Sequence, residues 1–201
     1  MRESAGSGRI RLEVDMSEIP VIGFAAYSGT GKTTLIEKIV LRLTAMGIRT
    51  AVIKHGCQGN CANECPAKDV RTALKRECHG FEIDKEGKDS YRYTKAGSVV
   101  TVLNSPKKTA FIEQRALSLE DILKRIHDVD VIFVEGYKHS GIRQIGLARK
   151  AAGKVLPDRP ERYMAIVTDE EIPCAVPQFS FEDIEGITGF ILSFIKDFVN
   201  G

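Results

Sequence analysis

One short segment near the start of this 201-residue chain constrains its fold more than any other: Ala25-Ala26-Tyr27-Ser28-Gly29-Thr30-Gly31-Lys32-Thr33-Thr34. It follows the apolar run Pro20-Val21-Ile22-Gly23-Phe24 and precedes Leu35-Ile36-Glu37-Lys38-Ile39-Val40, whose apolar residues recur at helical spacing. Strand, glycine-rich turn, Lys-Thr and helix in that order form a phosphate-binding P-loop. The small residues Ser28, Gly29, Thr30 and Gly31 let backbone N–H groups curl around phosphate oxygens. Thr33 and Thr34 stand at a helix N-terminus, which adds partial positive charge. Lys32 would reach the β- and γ-phosphates, and the Thr33 hydroxyl would ligate Mg²⁺. The first glycine of the consensus is replaced by Ala26. That costs roughly 1–2 kcal/mol if the site needs a positive φ, and little if it is a strand end.

The rest of the chain reads as an α/β fold. Its main expectation is a doubly wound, mainly parallel sheet with helices on both faces, the P-loop NTPase architecture. Ile48–Ile53 is the second strand and delivers Lys54-His55. Val99–Leu103 reads as a buried strand, with Thr109–Glu113 pairing beside it. Asp89 or Ser90 is placed to cap a short helix running toward Ala96-Gly97. Ser118, with Asp121 three residues on, opens another helix through Ile126. Val129–Val134 is a continuous apolar run, the mark of a strand covered on both faces. Further strands fall at Ile142–Leu147 and Tyr163–Val167, and an apolar helix over Ile187–Ile195 closes the chain. Residues 1–18 read as a polar leader and 19–201 as one nucleotide-binding domain, interrupted by an insertion over residues 56–78.

A P-loop needs a carboxylate for the Mg²⁺ shell, and an apolar strand ending in an acid is the usual source. Glu135 ends the strongest such strand, at the edge where open α/β sheets bind ligands. Asp130 begins the same strand and lies at the wrong end. Asp89, in a Gly-Lys-Asp-Ser loop, is a second candidate for the metal or an attacking water, with helix capping as its alternative role. Thr168-Asp169 follows a late strand. A carboxylate there can accept from the N1–H and exocyclic amine of guanine, a pair that adenine does not offer.

Composition narrows the function classes. The formal net charge is only +2, Trp is absent and aromatic content is 7%. Nothing here favours nucleic acid, and no apolar stretch approaches the ~20 residues that span a bilayer. A cytoplasmic protein is expected, in which thiols stay reduced or bind metal.

These segments, in order, resemble the molybdopterin-guanine dinucleotide biosynthesis protein B (MobB) family. The matching stretches are Gly29–Leu35, Lys54-His55, His79–Asp84, Gly87-Lys88-Asp89-Ser90-Tyr91-Arg92, Ala96-Gly97-Ser98, Val134-Glu135-Gly136-Tyr137-Lys138 and Val167-Thr168-Asp169. The P-loop alone is unspecific, whereas the Gly87–Arg92 and Val134–Lys138 segments in this order are specific. The resemblance implies a homodimeric GTP-binding protein with Mg²⁺ and weak GTP hydrolysis. It would assist the guanylyltransferase that joins GMP to molybdopterin. By matching position, Lys32 and Thr33 serve phosphate and Mg²⁺, Glu135 and Asp89 the metal shell or water, and Asp169 the guanine. Lys54, Arg92 and Lys138 would offer charge to an anionic ligand. Two other readings use the same fold: a metal-delivery chaperone GTPase, and a small-molecule kinase, which would need a lid of arginines.

One feature departs from the family pattern. About two dozen residues separate His55 from His79, and they hold Cys57, Cys61, Cys65 and Cys78 at x₃, x₃ and x₁₂ spacing. Four thiols can complete one four-coordinate centre, either Zn²⁺ or an iron–sulfur cluster. The spacing fits neither the C-x₂-C zinc pattern nor the bacterial ferredoxin run, and a thiol-bearing loop without metal is the alternative. Cys174 stands apart beside Pro173 and reads as structural.

Overall fold

A computed structural model describes residues 18–56, 81–137 and 140–201. Residues 1–17 of the leader, the four clustered cysteines, His79 and Lys138 lie outside the described residues. Contacts gather the chain into two compact units, one comprising Met1–His55 with Leu123–Gly201 and the other Gly56–Ile122.

The first unit is built on six strands: β1 (Val21–Ala25), β2 (Thr50–Lys54), β5 (Val131–Glu135), β6 (Gln144–Ala148), β7 (Ala165–Thr168) and β8 (Gln178–Phe179). Their order is β2-β5-β1-β6-β7-β8, and every pairing is parallel. β1 is therefore central, with β5 on one side and β6 on the other. Alternate residues of these strands face one core: Ile22 and Phe24, Val131 and Phe133, Ile145 and Leu147, Ala165 and Val167. Two helices cover that face, α1 (Lys32–Ala45) through Leu35, Ile36, Ile39 and Leu43, and α4 (Ile184–Asn200) through Ile187 and Ile191. The opposite face near β1 and β7 is covered by loop side chains, with Tyr163, Leu156, Ile172, Cys174 and Val176 packed on Ala25 and Ile166. Cys174 has the structural place expected of it. Gly146 cannot carry a side chain, because its Cβ would lie 2.8 Å from the Tyr163 ring.

Helix ends follow local chemistry. Gly47, at φ +80°, closes α1, with its N–H donating to the Thr44 carbonyl. At α4 the Asp183 carboxylate accepts from the Gly186 N–H. Asp130, at the far end of β5, is bound instead by Arg49, whose N–H and guanidinium both donate to it.

The second unit contains α2 (Asp89–Lys95), β3 (Val100–Ser105) and β4 (Lys108–Glu113), with α3 (Leu119–Leu123) crossing its boundary with the first. β3 and β4 form a separate two-stranded antiparallel hairpin. The expectation of a buried strand at Val99–Leu103 is therefore corrected. Val99 is 74% exposed and Val102 48%, and of β3 only Thr101 is buried. A two-stranded ribbon offers no second neighbour to cover such a run. The helix cap is corrected too. Asp89 and Ser90 lie inside α2, and the extended residue before it is Lys88, which makes no side-chain cap. Ser90 is turned away to donate to Asp84. Ser118 does cap α3, accepting from the Asp121 N–H at 3.0 Å, but α3 ends at Leu123 rather than Ile126.

Candidate functional site

The site lies where β1 ends. Ala26 is buried, and among the described residues only Asp128 combines a side chain with positive φ. Ala26 therefore occupies a relaxed strand end, and the missing first glycine costs little. The turn itself falls on Gly29 (φ +79°) and Gly31 (φ +98°). A side chain at either would be strained there. Thr30 is fully buried, and its hydroxyl donates to the Tyr27 carbonyl at 2.8 Å, which fixes the loop from inside. Gly31 is the N-cap of α1 and no side chain caps the helix. The first-turn N–H groups, with exposed Thr33 and Thr34, therefore border an anion-binding helix start.

Lys32 leaves the first turn toward β5. Its Nζ lies 3.4 Å from the Glu135 Oε1, and both side chains are mostly shielded, at 14% and 13% exposure. Parallel pairing of Phe24 with Glu135 sets this meeting across more than a hundred residues of sequence. Behind Glu135 the chain turns at Gly136 (φ +100°), where a Cβ would lie 2.9 Å from the His55 Cβ. The His55 N–H donates to the Glu135 carbonyl at 2.9 Å, and its ring meets Tyr137 edge-on. The Thr33 hydroxyl and the Glu135 carboxylate are hard oxygen donors, the type that suits Mg²⁺.

On the other side of β1, Asp169 follows β7. Its Oδ1 accepts from the Lys150 N–H at 2.7 Å, and its Oδ2 accepts from the Ala151 N–H at 3.0 Å. The Ala151 bond leads in holding this carboxyl below the usual aspartate range, and the Lys150 bond adds to it against partial desolvation. A depressed pKa contributes stability that is present above the ordinary aspartate range and lost as pH falls through the lowered value. Asp169 is thus an anion near neutrality. Each oxygen retains a lone pair for a further donor. The Thr168 hydroxyl donates to the Glu170 carbonyl and accepts the Glu170 N–H, so it shapes the turn and leaves Asp169 outward. A cavity of about 450 Å³ opens beside these residues, lined among others by Lys150, Lys154, Leu156 and Thr168.

Lys54 is the register partner of Glu135, whereas other predicted residues belong to the second unit or lie outside the described residues. Asp89 and Arg92 belong to the second unit, where they pair with one another at 3.6 Å, both largely exposed. Lys54 is exposed at the end of β2. Among the described residues no group of three metal-ligating side chains occurs. The arginine lid that a kinase reading needs is not formed by Arg159 and Arg162. Arg159 precedes and Arg162 ends a single 3₁₀ turn, and Arg162 pairs with Asp158. The sequence alone does not connect Arg149 and Lys154 with the P-loop.

A parallel sheet of this order, with a glycine loop joining β1 to α1, defines a P-loop NTPase-like protein. A family model described as molybdopterin guanine dinucleotide synthesis protein B matches residues 21–73 and 64–169. The molybdopterin-guanine dinucleotide biosynthesis adapter protein of Escherichia coli is 33% identical over 190 residues, covering 89% of this chain and 94% of that protein. The protein of that name from Haemophilus influenzae is 31% identical over 186 residues, covering 90% and 93%. Bacillus subtilis MobB shares the fold, with a TM-score of 0.61 at 20% identity over 88% of this chain and 98% of that one. The chain belongs to the molybdopterin guanine dinucleotide synthesis protein B family.

Proposed function

We propose that this chain is an adapter in molybdopterin-guanine dinucleotide synthesis that holds GTP with Mg²⁺ in its P-loop and hydrolyses it weakly. The observation that carries the nucleotide reading is Lys32 at 3.4 Å from Glu135, a phosphate-binding cation and a metal-shell acid brought together at the mouth of the loop. The relatives' printed names support the pathway. Backbone N–H groups of residues 29–34 and Lys32 bind the phosphates, and Thr33 and Glu135 hold the metal, which neutralises phosphate charge when bound. Asp169 accepts from the guanine edge with its remaining lone pairs. Asp89, Lys54, Arg92 and Lys138 serve the metal shell or an anionic ligand. The partner is the guanylyltransferase that joins GMP to molybdopterin, in the cytoplasm. Among the described residues no helix is long and apolar enough to cross a membrane.

Titration of anaerobically purified protein with GTP and ATP, each with Mg²⁺, tests the reading. GTP should bind more tightly, and Asp169→Asn should lower its affinity about tenfold or more while affecting ATP less. A preference for ATP would overturn the guanine assignment and favour the small-molecule kinase.

The same preparation tests two companion proposals. The Val102–Phe111 pair on the exposed side of β3–β4 suits a homodimer contact, so light scattering should report twice the chain mass. The density of Cys57, Cys61, Cys65 and Cys78 supports one Zn²⁺ ion or an iron–sulfur cluster per chain. A monomer, or protein without zinc, iron or visible absorption, would rule out the respective proposal.

A further inference from the structure

The loop after β6 is a tight cationic hairpin set against the P-loop. The Arg149 N–H donates to the Lys154 carbonyl at 2.7 Å, and the Lys154 N–H donates back to the Arg149 carbonyl at 2.9 Å. Between them Lys150–Ala152 makes one 3₁₀ turn, closed at Gly153 (φ +62°). Asp169 grips the turn through the Lys150 and Ala151 N–H groups. Because β6 pairs with β1 in parallel register, the hairpin emerges beside the P-loop, on the side away from β5 and Glu135.

Its two ends each bring a cation against a P-loop glycine. A Cβ on Gly31 would lie 3.4 Å from both the Cζ and an Nη of Arg149, and a Cβ on Gly29 would lie 3.9 Å from the Lys154 Cε. Arg149 is oriented by the Phe181 ring, whose centroid lies 3.9 Å from its Cζ. Both side chains are half-buried, and among the described residues neither makes an ion pair. By contrast, Lys32 has Glu135 and Lys150, in the same hairpin, has Glu170. Two partly shielded cations outside any ion pair, with only the longer-range field of Asp169 acting on Arg149, stand beside a phosphate-type loop and are arranged for an external anion.

We propose that Arg149 and Lys154 are phosphate ligands of the nucleotide site, closing on the phosphate chain from the β6 side while Lys32 approaches from the β5 side. This rests on the reading of the P-loop as a nucleotide site. Phe181 sets the guanidinium plane, and Asp169 positions the hairpin whichever base is bound. The clamp reads phosphate, so its loss weakens GTP and ATP alike.

The test is equilibrium titration of the full chain with GTP·Mg²⁺ and ATP·Mg²⁺ for wild type, Lys32→Ala, Arg149→Ala, Arg149→Lys, Lys154→Ala and Phe181→Leu, with circular dichroism to establish folding. Arg149→Ala should weaken both nucleotides by roughly 10- to 100-fold and leave their ratio unchanged. Lys154→Ala should weaken both by about 3- to 10-fold, and Phe181→Leu by an intermediate amount. Arg149→Lys keeps the charge and should recover part of the loss. The salt dependence of binding should also flatten in Arg149→Ala. If wild type and Lys32→Ala differ as expected but folded Arg149→Ala and Lys154→Ala both bind within twofold of wild type, the clamp is wrong and the P-loop site stands. If wild type binds neither nucleotide, the nucleotide reading itself fails.

Discussion

Lys32→Ala should lower the affinity of the proposed site for GTP·Mg²⁺ by roughly 30- to 4,000-fold, the range expected when one partner of a shielded charge pair is truncated. The fold should survive. Lys32 is the first residue of α1, where its side chain supports no core contact, and the core face of the helix starts at Leu35 and Ile36. What the mutant loses is the cation that faces Glu135 at 3.4 Å. Glu135 then meets the phosphates with its negative charge uncompensated, which adds repulsion to the lost attraction. Isothermal titration with GTP·Mg²⁺, beside far-UV circular dichroism and a thermal melt, separates the effects. A folded mutant that binds GTP as wild type does would show that the loop is not the nucleotide site.

Much of this site is legible in the sequence because its information is local. Gly29 and Gly31 supply the turn, Lys32 and Thr33 open the helix, and the apolar run before them can only be a strand. Glu135 is legible for a related reason: a strand buried on both faces announces its own end. Arg149 and Lys154 illustrate the opposite case. They lie more than a hundred residues from Gly29 and Gly31, and only the placement of β6 beside β1 brings them there. Nothing in the residues around Arg149 states which strand is its neighbour. Val99–Leu103 failed differently. An apolar run records that a segment avoids water, but not what covers it, and here the segment is one arm of an exposed hairpin. β8 is two residues long, too short for any period to register. Asp169 was read from its position after a strand. That position does not disclose its bonds to Lys150 and Ala151, which tie the acid after β7 to the hairpin after β6.

The largest stability effect is expected at Phe133. Its ring is fully buried in β5, which has a strand on each side, and it meets Phe24 of β1 edge-on with centroids 5.3 Å apart. Phe133→Ala removes the transfer free energy of the ring and leaves a cavity that rigid strands cannot close, a loss of about 3–5 kcal/mol. That is a large fraction of the ~5–15 kcal/mol that holds a domain folded. At about 2–4 °C per kcal/mol for a chain this size, the melting midpoint should fall by roughly 6–20 °C. Leu41→Ala is the control. Leu41 is 72% exposed on α1, and its loss should stay within about 0.5 kcal/mol. The function should follow the core. Phe133 and Glu135 lie two residues apart on one strand and so share a face, and Phe24 pairs in register with Glu135. Any shift of β5 into the cavity is therefore felt at the acid opposite Lys32, and folded Phe133→Ala should also bind GTP more weakly. Equal denaturation midpoints for the two variants would mean that Phe133 does not fill a buried site on a strand flanked on both sides.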